Sequence, residues 1–66
     1  YGTINSYTIP RFGPGTMYST YGDRDYRQGN QVAVIDSENG YYLVESYHTD
    51  GNVLRCWVPA SSINMN

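Results

Sequence analysis

The sequence predicts an all-β domain, a small barrel of five to six mostly antiparallel strands. Three observations carry that expectation. The run from Gln31 to Ile63 is rich in β-formers with short apolar and polar alternations. Two turns, Ser37-Glu38-Asn39-Gly40 and His48-Thr49-Asp50-Gly51-Asn52, punctuate that run with residues that favour reversal. No stretch of useful length carries a helical apolar period.

The elements follow in order. Ile4, Tyr7 and Ile9 among small polar residues suggest a first strand within Tyr1 to Ile9, and Pro10 ends or edges it. Gly13 and Gly15 flank Pro14, so residues 11–16 should form a tight loop of fixed shape, packed against an extended stretch from Met17 to Tyr21. Gly15 is expected to resist a side chain if its φ is positive. Gly22 to Asp25 is a solvated polar break, and Tyr26 to Asn30 a turn into the next strand. Val32, Val34 and the polar Asp36 then fall at alternate positions of the next strand. Tyr41 to Tyr47 and Val53 to Val58 are the second and third strands of the run. Pro59 has no N–H to give a ladder, so 59–62 is expected as a short 3₁₀ turn before a last strand at Ile63 to Met65. Val32, Val34, Val44, Val58 and Ile63 are the predicted core.

Composition limits what the chain can do. Its 66 residues make one domain, and a core of that size adds little net stability unless the sheet closes on itself. With a single cysteine there is no internal disulfide, and one Cys with one His falls short of a tetrahedral zinc set. No metal or cofactor is therefore expected. Four arginines, no lysine and six acids give a net charge of −2, which leaves no footprint for nucleic acid. Apolar runs are far shorter than the roughly 20 residues of a membrane helix, and no signal segment is visible. A chain that starts at Tyr1 rather than Met reads as a domain of a longer protein. Eight tyrosines, one Trp and one Phe exceed what so small a core can hold, which points to a recognition face.

Two stretches together resemble the bacterial SH3-like (SH3b) domains, and the likeness covers nearly the whole chain. Phe12-Gly13-Pro14-Gly15-Thr16-Met17-Tyr18, closed by Gly22, is similar to that family's S-G-P-G-T-x-Y-x-x-x-G signature. Gly29, Val32, Val34, Asn39, Gly40, Tyr41, Tyr42, Val44, Trp57 and Val58 match its G-x-x-V-x-V…N-G-W-Y-x-V…G-W-V pattern. The chain departs at Cys56, where the family has Gly, at Tyr41, where it has Trp, and at Thr8-Ile9-Pro10-Arg11, which fits L-N-V-R only at the Arg. Eukaryotic SH3 domains share 41–44 and 57–62 in outline, but their A-L-Y-D-Y motif has no counterpart here.

The resemblance implies an SH3-like barrel that acts as a non-catalytic binding module of an extracytoplasmic, secreted or wall-associated bacterial protein. Its implied partner is cell-wall peptidoglycan, whether stem or bridge peptide or glycan. Aromatic faces would cover sugar rings or peptide backbone, and Tyr hydroxyls and Arg donors would fix orientation. The candidate groove comprises Arg11, Tyr18, Tyr41, Tyr42, Tyr47 and Trp57, although strand alternation must send some of these rings inward and Arg11 could instead brace its loop. A second expectation is a module that docks on a neighbouring catalytic domain of the same chain. A third is recognition of proline-rich peptides.

Catalytic constellations are weak. His48 and Cys56 are the only thiol and imidazole, sit either side of a turn and lack an orienting third group. Cys56 is expected as a half-buried strand residue with a quiet thiol, since no lysine or helix N-terminus is near to lower its pKa. Asp23 with Asp25, or Asp36 with Glu38, could form carboxylate pairs, but such loop residues usually face water. The chain is read as having no catalytic residues.

Overall fold

A computed structural model describes residues 1–22, 24–47 and 51–66. Five strands, β1 (Gly2–Ile4), β2 (Gln31–Glu38), β3 (Tyr41–Tyr47), β4 (Val53–Pro59) and β5 (Ile63–Met65), form one antiparallel sheet in the order β4-β3-β2-β1-β5. The fold is thus all-β and barrel-like, with a 3₁₀ turn, Ala60–Ser62, between β4 and β5. A radius of gyration of 10.7 Å equals the roughly 11 Å of a compact domain of this length.

The β2–β3 hairpin turns on two residues. Asn39 and Gly40 have φ of 58° and 81°, the doubly left-handed conformation that matches strand twist and suits Asn-Gly. Ser37 and Glu38, expected in the turn, are paired strand residues opposite Tyr42 and Tyr41. A bulge between Val34 and Asp36 changes the phase of β2. Plain alternation would send Asp36 to the core with Val34, and the extra residue, Ile35, instead sets Asp36 opposite Leu43 on the outer face. At the end of β4, Pro59 still pairs with Tyr41, and the next amide, Ala60, donates to the Gly40 carbonyl at 2.9 Å. Gly51 has φ of 87°, consistent with the expected second turn, whose His48, Thr49 and Asp50 lie outside the described residues.

The core consists of Ile4, Tyr26, Val32, Val44, Cys56, Val58 and Ile63. Val34, expected inside, is only partly buried and packs against this cluster, because it borders the bulge. Ile4, Tyr26 and Cys56 were not expected there. The first strand is also shorter than Tyr1 to Ile9. It ends at Ile4, and the chain then touches down through single bridges, Thr8 with Tyr26 and Arg11 with both Thr20 and Trp57. Met17 to Tyr21 is correspondingly not a strand. Tyr18 N–H donates to Gly15 O at 3.2 Å, a turn, and only Thr20 makes a bridge.

Candidate functional site

Pairing sorts five of the six candidate groove residues between two faces, while Tyr18 sits in the loop outside the ladders. On β3 the core side carries Tyr42, Val44 and Ser46, and Tyr42 packs on the core. Tyr41, Leu43, Glu45 and Tyr47 therefore share the outer face. Directly paired residues point to the same side of a sheet, so the outer face reads as short rows: Glu38, Tyr41 and Pro59, then Asp36, Leu43 and Trp57. Arg11 extends the second row, since its N–H and C=O both bond Trp57, at 2.8 and 2.9 Å. Tyr41, Trp57 and Arg11 are thus brought together. Tyr42 is not, and Tyr47 lies six residues along β3, about 20 Å away, beyond the Glu45 to Arg55 pair.

The loop beside this face is held by specific bonds. The Arg11 guanidinium donates through Nη1 to the carbonyls of Tyr18 at 2.8 Å and Thr16 at 3.4 Å, the bracing role open to it. The Tyr18 ring lies so close to Gly13 that a Cβ there would sit 2.4 Å from it. Gly15 has ordinary space around it and no positive φ, so it is Gly13 that the loop requires. Asn39 Nδ2 donates to Pro14 O at 3.2 Å and ties the loop to the hairpin turn. Phe12 stacks on Tyr21 with ring centres 4.1 Å apart, and the Tyr21 hydroxyl donates to Arg55 O at 3.0 Å. The face is consequently framed by a fixed loop and mounted on paired strands, with Leu43 and Trp57 half-buried. Farther along it, the Glu45 carboxylate accepts from the Tyr47 hydroxyl at 2.6 Å and from Arg55 Nε at 2.7 Å, and these bonds hold the Glu45 carboxyl below its usual range.

A second feature was not foreseen. Asp25, Tyr26, Asn30, Gln31, Ser46 and Tyr47 line a depression of about 320 Å³ at the far end of β3 from Tyr41. At its floor the Tyr26 hydroxyl lies 2.8 Å from Ser46 Oγ and 3.3 Å from Cys56 Sγ. Burial pushes both the Tyr26 phenol and the Cys56 thiol up, so both stay protonated through the neutral range. Cys56 is fully buried rather than half-buried. The signal available in sequence was Ser46 itself: two residues from Val44 it falls on the core side, where a hydroxyl needs a partner. Of the carboxylate pairs considered, Asp23 lies outside the described residues, as does His48, while Asp36 and Glu38 are both exposed on β2. Among the described residues no His, Cys, Asp and Glu gather as a metal site.

No protein-family model matches the chain, and no curated protein or solved structure matches it either.

Proposed function

We propose that the domain is a non-catalytic binding module of an extracytoplasmic bacterial protein, and that it recognises peptidoglycan through the outer face of β3 and β4. The observation that carries this is the convergence of Tyr41, Leu43, Trp57 and Pro59 on one solvent-facing surface, with Arg11 at its border. Rings held by strand pairing lose little freedom on binding, which is why rigid aromatic anchors dominate recognition surfaces. Asp36 and Glu38 on the neighbouring strand add acceptors for amide or hydroxyl donors of a wall peptide or glycan. The buried, protonated thiol of Cys56 supports a module without its own chemistry.

The test is co-sedimentation with purified peptidoglycan. Tyr41→Ala should weaken binding by about 2 kcal/mol, as loss of a central anchor does, with the melting temperature close to that of the parent. Failure of the intact domain to sediment with wall material would refute the proposal.

A second reading, docking on a neighbouring catalytic domain, is favoured by one observation. Phe12 and Met17, in the loop beside the outer face, are 60% and 84% exposed, more apolar surface at one place than a free loop needs.

A further inference from the structure

We infer that the depression at the end of β3 is a second binding site, and that it takes a single neutral pyranose ring. It lies about 20 Å along β3 from Tyr41, so it stands whether or not the outer face binds wall material. Its size is at the small end of ligand pockets, about 300 to 1,000 Å³, enough for one ring or one side chain.

The lining chooses between these occupants. Ser46 is 8% exposed and its hydroxyl ends a chain with the Tyr26 hydroxyl and the Cys56 thiol. One bond joins Ser46 to Tyr26, so the Ser46 hydroxyl keeps either its hydrogen and one lone pair or both lone pairs for a group in the depression. Asn30 Oδ1 already accepts the Arg27 N–H at 2.9 Å, which leaves its NH₂ group to donate. Asp25 approaches Arg27 Nε only at 3.8 Å, and both are well exposed, so its carboxylate keeps acceptor capacity. Gln31 offers both a donor and an acceptor at the rim.

The required ligand groups must therefore accept from Asn30, donate to Asp25 and do either with Ser46. A hydroxyl does all three, an ammonium can only donate, and an anion would meet Asp25. Tyr47 stands at the lip of the depression, its ring 67% exposed on the outer face, where its hydroxyl bonds Glu45. A pyranose carries adjacent hydroxyls that can meet Asn30, Asp25 and Ser46 together, which a single side chain does not.

The test is a nitrogen-edited NMR titration of the domain with methyl β-glucopyranoside, with cyclohexanol and methylammonium as controls. Saturable shifts centred on Asn30, Gln31, Ser46 and Tyr47, with millimolar affinity for the glycoside and at least several-fold weaker effects from both controls, are expected. Asp25→Asn and Gln31→Ala, both at exposed positions, should each weaken that affinity several-fold while the spectrum stays folded. Absence of saturable shifts, tighter binding of methylammonium, or shifts centred on Tyr41 and Trp57 would overturn the assignment. The last of these would support the outer-face reading alone, so the two sites fail separately.

Discussion

The meander β2–β4 and the segment from Asn5 to Asn30 reach their shapes by different means. In the meander, backbone ladders run the length of each strand, and a change at one outer residue leaves most of the pairing intact. Among its described residues the Asn5 to Asn30 segment has only single bridges, and its course depends on particular side chains: Arg11 on the loop carbonyls, Tyr18 on Gly13, Asn39 on Pro14, Tyr21 on Arg55 and Tyr26 in the core. The lesson is that regular pairing spreads stability over many equivalent bonds, while an irregular segment concentrates it in a few. The proposed outer face draws on both, since its rings sit on ladders and its border is set by the loop.

Tyr26 gives the strongest way to break the contrast, because it is the point where the irregular segment enters the core. Tyr26→Ala should lose about 3 to 5 kcal/mol, as truncation of a buried aromatic does, and leave Ser46 and Cys56 without their shared partner. Denaturant unfolding followed by circular dichroism and by Trp57 emission would measure it. If the two probes then separated, the meander would be standing without the segment, and the domain would not be one cooperative unit.

A smaller effect is expected within the loop. Gly13→Ala must displace the Tyr18 ring and should cost about 1 to 3 kcal/mol, whereas Gly15→Ala meets only ordinary contacts at 3.7 Å and beyond and should stay within about 1 kcal/mol. Thermal melts of the two variants side by side decide the point, and equal losses would show that Tyr18 is not what fixes this loop.

The smallest effect belongs to the meander's surface. Glu45 has its folded pKa lowered, first by the Tyr47 hydroxyl and then by Arg55. Such a group adds stability above its unfolded pKa and loses it as pH falls through the folded value. Glu45→Gln should therefore melt earlier than the parent at neutral pH, and the gap should close in acid, below the ordinary range of glutamate. A gap independent of pH would assign the effect to packing rather than to charge.

How much was legible follows the same division. Asn39-Gly40 identified the hairpin, and the β-formers of β3 and β4 gave their bounds to within a residue, because turn chemistry and alternation are local properties. The same alternation placed Val44, Val58 and Val32 inside. It could not place Asp36, since one inserted residue reverses the phase of a strand and a bulge leaves no clear mark in composition. Of the candidate groove, Tyr41 and Trp57 were joined by pairing and Tyr42 was sent inward. Deciding which of two adjacent tyrosines faces out needs the register, and a shift of one residue exchanges them.

By itself the sequence determined the class of fold, the last four strands, the 3₁₀ turn after Pro59 and most of the aliphatic core, since each depends on the spacing of neighbours along the chain. Tertiary structure alone decided that Tyr26 and Cys56 share the core with Ser46, that Arg11 braces the loop and lies beside Trp57, and that Asp25, Asn30 and Ser46 line one depression. Those contacts join residues many positions apart, and their partners are chosen by how the sheet curls and where an irregular segment crosses it, which no local pattern encodes.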